Sequence, residues 1–300
     1  MENNRSRIQA WLEAARPKTL PASFSPVLVG CALAYRDGVF KLVPAILCVL
    51  VALLAQIASN FANDYFDFKK GADKEDRLGP ERAVASGWIT PKAMLWGTFI
   101  TLGLSCLCGC FLLFFAGWEL IGVGIAIAIC VLAYSAGAFP LAYNGLGDVC
   151  VLLFYGVIPV CFTYYIQTLN FSLLSFLLSV ALGLLSVNIL IVNNYRDYEQ
   201  DKAARKRTTI VLFGRRAGRV FYVLNECMAF LLVLPLILDA PWWILFLFGI
   251  LFALCFYTTR ELFTLEGRAL NRTLGHTARN VFLFASVLSL LFLYIGGVSN

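Results

Sequence analysis

NFANDYFDFKKGAD, residues 60–73, closes an apolar run, Leu42 to Ser59, that carries no charge. Asp64, Asp67 and Asp73 then arrive within ten residues. A carboxylate in or beside a bilayer is costly, and ionisable groups kept there default to function. The surroundings of this stretch therefore decide both the fold and the chemistry.

Of the 300 residues, 60% are hydrophobic and only 14% are charged, against about 25% charged in an average soluble domain. Apolar windows of membrane-spanning length that carry little or no charge fall near 19–35, 42–63, 93–117, 120–139, 149–167, 172–194, 218–238, 241–259 and 279–298. Breaks at GAFPLAYNGLG (137–147), QTLNFS (167–172) and DAPWW (239–243) carry Gly, Pro and Asn. The expected fold is an all-α membrane protein, one domain over 1–300, with nine transmembrane helices. Residues 1–18 are expected to form an interfacial helix with Ile8, Trp11, Leu12 and Ala15 on one face. No cleaved signal peptide is expected, because no short apolar stretch ends in a small-residue cleavage site.

Lys and Arg set the orientation. Of 24, 22 lie before the first span, at 69–92, at 196–219 and at 260–279; only Arg36 and Lys41 fall on the other side. The positive-inside rule makes the rich face cytoplasmic, with the N-terminus in and the C-terminus out, which agrees with an odd number of spans. The net charge of +6 is thus a topology signal and calls for no nucleic acid. Neither does the sequence call for an obligatory protein partner. Ten cysteines form no C-x-x-C pair and sit mostly in apolar spans, where they read as small hydrophobes; the lone His276 rules out a multi-histidine site.

The opening stretch has a partner. NDYFD (63–67) and NNYRD (193–197) both fit N-[DN]-Y-x-D, 130 residues apart, at two ends that leave the membrane toward the basic face. Each runs into a basic loop. Asn60, Asn63, Asp64 and Asp67 share one helix face, and Asn193, Asp197 and Asp201 share another at i, i+4 and i+8. Two such faces turned to one cavity form a hard-cation constellation. It suits Mg²⁺, which takes a few carboxylates and completes its shell with phosphate and water. Neighbouring Arg and Lys can hold the remaining phosphate oxygens.

At these residues the chain resembles the UbiA-type intramembrane prenyltransferases, a superfamily of nine helices and two Asp-rich motifs, here at 60–73 and 193–201. The finer resemblance is to its menaquinone branch, the 1,4-dihydroxy-2-naphthoate polyprenyltransferases. It rests on N-D-Y-x-D-x-x-x-G-x-D at Asn63–Asp73, ARPKTLPASFSPVLVG (15–30), GPERAVASGWITP (79–91), YSAGAFPLAYNGLGD (134–148) and NNYRDYEQDKAARKRT (193–208). The chain departs from that branch at Arg205, where a glycine is expected before KRT.

The resemblance implies transfer of a polyprenyl chain from an allylic polyprenyl diphosphate to 1,4-dihydroxy-2-naphthoate with loss of CO₂, giving demethylmenaquinol, at the inner membrane of a bacterial cell. It implies two or more Mg²⁺ ions bridging the diphosphate, held by Asn63, Asp64, Asp67, Asn193, Asp197 and Asp201, with the aspartates as the catalytic set. Diphosphate contacts are expected from Lys69, Lys70, Arg82, Lys202, Lys206 and Arg207, with Asn60 and Asp73 nearby. Arg16, Lys18 or Arg196 is expected to take the acceptor carboxylate. Phe61, Tyr65 and Tyr195 are candidates for shielding the allyl cation, and Tyr143 and Asp148 for shaping a cap. A different aromatic acceptor, such as 4-hydroxybenzoate or homogentisate, stays open. So does an ion-coupled transporter using paired carboxylates, although those sit on broken helices at mid-bilayer. A lipid-binding scaffold would leave the matched aspartates unexplained.

Overall fold

The computed structural model describes residues 6–71 and 77–299, so the expectation for Asp73 lies outside the described residues. The helices are α1 (Arg7–Ala15), α2 (Leu20–Arg36), α3 (Leu42–Lys69), α4 (Pro91–Ala116), α5 (Leu120–Ala133), α6 (Gly147–Leu152), α7 (Ile158–Thr168), α8 (Leu173–Arg196), α9 (Tyr198–Ala203), α10 (Thr209–Leu238), α11 (Trp242–Thr264) and α12 (Leu270–Ser299). A π-turn, Leu153–Val157, fuses α6 and α7 into one 22-residue apolar helix.

The chain is all-helical and multi-pass. Counting α6–α7 once, seven helices among the described residues are long and apolar enough to cross a membrane. The other two expected spans coincide with α2, of 17 residues, and α5, of 14. The expected span at 120–139 stops early because the chain turns through Gly137, at φ 86°, toward Pro140. The ninth span starts earlier than expected, at Leu270, since the polar stretch 270–280 is helical too. Leu169, left-handed at φ 58°, and the Ser172 capping box separate the fifth span from the sixth.

The centre of the bundle is α8. Its apolar window is 67% buried, against 17% for α4 and α10, so α4 and α10 present most of their surface outward. The largest core cluster joins α8 to α2, α7, α10, α11 and α12 around Leu182, Phe284, Leu288 and Phe292. A second packs α1 onto α3: Trp11 meets Phe61 edge-on at 5.2 Å, and Gly97 leaves room for the indole. The inner face of α1 is Ala10, Trp11 and Ala14, whereas Ile8 and Leu12 stay exposed. The expected single stripe is therefore split by the packing of Trp11.

Hydrogen bonds assign the loops to two ends. At one end the loop at 77–90, the turn at 134–146, the segment 196–207 and the start of α12 bond to one another and to the end of α3. At the other, Lys41 bonds Gln167, Tyr164 donates to Asp37, and Tyr165 donates to Glu119.

Two backbone features are testable. A Cβ on Gly156, in the π-turn, would lie 2.4 Å from the Ser179 carbonyl and 2.5 Å from Gly183 Cα. Gly156→Ala is therefore expected to cost about 1–3 kcal/mol, read as a lower Tm in detergent; an unchanged Tm would contradict this helix contact. Arg205 is left-handed at φ 56°, a region that favours glycine. Arg205→Gly is expected to leave thermal stability equal or raise it by up to about 1 kcal/mol, and a clear loss of Tm would contradict the assigned conformation.

Candidate active site at the basic end of the bundle

The first motif stays helical to its end, because α3 runs on through Lys69. Asp64 and Asp67 are both buried, but they serve different partners. Asp64 accepts two backbone amides, Ala83 N–H at 3.0 Å and Val84 N–H at 3.1 Å. Both of its oxygens thus anchor the loop after the motif. Asp67 accepts from Tyr143 Oη at 2.9 Å and from Arg82 Nη2 at 3.4 Å, and Lys206 Nζ lies 3.9 Å away. Asn63 Oδ1 accepts from the Ser135 hydroxyl. Asn60 donates to the Ala15 carbonyl at 2.9 Å, so it fastens the N-terminal segment rather than facing an anion.

The second motif departs from the expected single face. Helix α8 ends at Arg196, Asp197 is its cap, and Asp201 belongs to the short α9. The Asp201 N–H still donates to the Asp197 carbonyl at 2.8 Å, which keeps the two carboxylates one turn apart. Asp201 Oδ1 lies 3.8 Å from Lys206 Nζ. One ammonium therefore stands between the two motifs. Burial pushes the Asp201 carboxyl up to about 6; Lys206 opposes the rise, and Asp197 and Asp67 add to it.

Arg196 is 1% exposed, and its guanidinium is committed within the protein. Nε and Nη2 grip Asp197 at 2.7 and 2.6 Å, Nη2 also donates to Asn193 Oδ1 at 2.8 Å, and Nη1 donates to Asn271 Oδ1 at 2.6 Å. Its expected role on the acceptor carboxylate is not the one this geometry gives it: Arg196 neutralises and orients the second motif. Asn271 in turn donates to the Leu78 carbonyl, and a Cβ on Gly79 would lie 2.8 Å from Arg196 Nη2. Glycine at 79 is what lets the loop lie against the guanidinium.

Among the expected cations, Lys206 and Arg82 meet Asp67, while Lys69, Lys202 and Arg207 are exposed and do not line the cavity. Arg207 contributes its backbone N–H to the Tyr143 carbonyl. Lys70 is exposed and outside the cavity lining too, but unlike Lys69 it fastens the neighbouring turn, donating to the Ser135 carbonyl at 2.6 Å and sitting 4.5 Å from the Tyr143 ring centroid, with Lys206 at 4.6 Å. A one-residue step on a helix turns a side chain through about 100°, and sequence alone does not choose between adjacent lysines.

Asp67, Arg82, Tyr143, Asn193, Arg196 and Lys206 line the polar end of a cavity of about 1070 Å³, together with Arg16 and Lys18; Asp197, Asp201 and Lys70 stand behind that lining. Its aromatic walls are Trp88, Tyr134, Phe154, Tyr155 and Phe162. Phe61, Tyr65 and Tyr195 are not among them: Phe61 packs on Trp11, and Arg215 and Arg219 cover Tyr195. A polar shelf missed in the sequence lies deeper, where Gln56 accepts from Ser23 and Tyr155 and donates to Thr19. Single polar residues inside apolar spans carry no pattern that would reveal it. Away from the carboxylates the cavity becomes apolar and reaches exposed Cys106, Cys110, Ile121 and Ile125 between α4 and α5.

Among the described residues no three acidic, histidine or cysteine side chains converge into a self-sufficient metal site. The donor set is nevertheless all hard oxygen, from Asp67, Asp197, Asp201, Asn63 and Asn193. Such a set fits a cation whose shell is completed by a ligand's own oxygens.

Comparison with known proteins shows the family and the fold. The model of the UbiA prenyltransferase family matches residues 23–287. The chain is 39% identical over 224 residues to 1,4-dihydroxy-2-naphthoate octaprenyltransferase of Haemophilus influenzae, covering 72% of this chain and 73% of that one. With the Escherichia coli protein of the same name it shares 40% over 229 residues, 74% of each chain. The solved structure of a UbiA homolog from Archaeoglobus fulgidus bound to DMAPP and Mg²⁺ has the same fold, with a TM-score of 0.66 at 17% identity over 96% of this chain and 98% of that one. The chain belongs to the UbiA prenyltransferase family.

Proposed function

We propose that this protein transfers a polyprenyl group from an allylic polyprenyl diphosphate to 1,4-dihydroxy-2-naphthoate, with loss of CO₂, in menaquinone biosynthesis. The names of its relatives support the acceptor. The observation that carries the reaction type is Lys206 standing between Asp67 and Asp201, 3.9 and 3.8 Å from their carboxylates. Anion-binding and cation-binding groups from both motifs meet at one place, as a metal–diphosphate pair requires.

Bound Mg²⁺, with Asp67, Asp197, Asp201 and the two asparagines as candidate ligands, would supply charge neutralisation of the departing diphosphate. Asp64, whose oxygens accept the Ala83 and Val84 amides, anchors the loop beside that set. Lys206 and Arg82 take the phosphate oxygens that remain. The apolar walls exclude water from the allylic carbon, and the faces of Tyr134, Phe154 and Phe162 are available to its positive charge. Arg16 faces the acceptor carboxylate, because Arg196 is spent on Asp197. The apolar limb toward α4 and α5 takes the prenyl tail and lets it pass into lipid.

With α2 and α5 counted as crossings, the chain spans the bilayer nine times. Its basic end and active site face the cytoplasm of a bacterial cell by the positive-inside rule.

Purified protein supplied with Mg²⁺, polyprenyl diphosphates of several lengths and a panel of aromatic acceptors tests this reading. The expected product is a prenylated, decarboxylated naphthoquinol, abolished by EDTA and reduced by about 100-fold or more in Asp67→Asn or Asp197→Asn. Preferential turnover of 4-hydroxybenzoate would contradict the acceptor, and full activity in either variant would contradict the ligand set.

A further inference from the structure

Two buried oxygens in the cavity wall have no hydrogen-bond partner among the described residues: Asp148 Oδ1 and Ser186 Oγ. Unpaired buried polar atoms are expensive, and in a native protein each one calls for an explanation. Ser186 is 2% exposed, so bulk water does not serve it.

Their placement is specific. Asp148 stands in the first turn of α6, and its other oxygen accepts from the Thr209 hydroxyl, which fixes the carboxylate. Tyr143, five residues before it, donates to Asp67, and Thr209 follows Lys206 by three residues. Asp148 is thus held beside the diphosphate end. Gly147 brings α6 against α8: a Cβ there would lie 3.2 Å from Leu190 Cδ2 and 3.5 Å from Tyr134 Oη. Leu190 is one helical turn from Ser186, so both unpaired oxygens border the same part of the cavity, between the charged end and the apolar limb. An aromatic acceptor has to occupy that region to reach the allylic carbon.

We propose that Asp148 is the catalytic base for the acceptor, taking the proton of the hydroxyl next to the carboxylate-bearing ring carbon, and that Ser186 hydrogen-bonds the same acceptor. This rests on the reaction proposed above. As the hydroxyl proton moves to Asp148 Oδ1, the ring's electron pair forms the new carbon–carbon bond to the allylic carbon, whose bond to the diphosphate oxygen breaks with its electrons. The ring carbon then carries both the prenyl group and the carboxylate, beside a ketone. Loss of CO₂ leaves its electron pair as an enolate, which recovers the proton from Asp148 and restores the aromatic diol. No oxidant or further reactant is needed.

The test compares wild type, Asp148→Asn, Asp148→Glu and Ser186→Ala in nanodiscs, with 1,4-dihydroxy-2-naphthoate and farnesyl diphosphate. Asp148→Asn is expected to lower kcat by about 10²–10⁴-fold while farnesyl diphosphate binding, measured without acceptor, stays within about twofold of wild type; Asp148→Glu partly restores turnover. Ser186→Ala deletes a hydroxyl that bonds no described residue, so it keeps the test open if the Asp148 variants do not fold. Its acceptor KM is expected to rise about tenfold at unchanged kcat. Near wild-type kcat in Asp148→Asn, or a matching loss of diphosphate affinity, would overturn the base; an unchanged KM in Ser186→Ala would overturn the subsite. A wild-type protein inert toward the naphthoate would instead contradict the proposed reaction itself.

Discussion

Carboxylates at the end of a membrane helix stay buried only if cations or hydrogen-bond donors lie against them, and the basic end of this bundle is organised around that constraint. Asp67 and Asp201 lie 134 residues apart in the chain, on different helices. Lys206 lies within 4 Å of both, Arg82 adds to Asp67, and Arg196 encloses Asp197. Lys206 and Arg82, which permit burial of Asp67, are also the groups proposed for the diphosphate. Stability of the apo form and recognition of an anionic substrate therefore draw on the same side chains.

The loop after the first motif holds the two halves in register. Asp64 fastens it through Ala83 and Val84, Arg82 joins it to Asp67, and Leu78 and Gly79 meet Asn271 and Arg196. This explains why two neighbouring aspartates on one helix face do unlike work. Asp64 binds amides and sets the position of a segment, while Asp67 faces cations in the cavity. It also brings the start of α12 into the site, through a single asparagine with no sequence motif around it.

What the sequence made legible follows from what repeats or is periodic. The apolar runs located the seven long apolar helices, and the paired N-[DN]-Y-x-D elements pointed to the candidate site. The glycine expected at 205 has a physical reason, since Arg205 there is left-handed. Other features were hidden because they depend on rotation about a helix or on distant partners. Lys70 rather than Lys69 bonds the turn at Ser135, the second motif breaks at Asp197 instead of continuing as one face, and Arg196 bonds its own neighbour. Ser186 and Gln56 are lone polar residues in apolar spans, and nothing in the sequence separates them from helix filler.

The central claim is that the two motifs form one diphosphate site, coupled through Lys206. The direct measurement is a double-mutant cycle on Mg²⁺-dependent farnesyl diphosphate binding to the purified protein, using Asp67→Asn, Asp201→Asn and the pair. A shared site predicts strong non-additivity, with the double variant binding little worse than either single one and a coupling above about 0.5 kcal/mol. Losses that simply add would contradict it, because they would place the two carboxylates in independent sites.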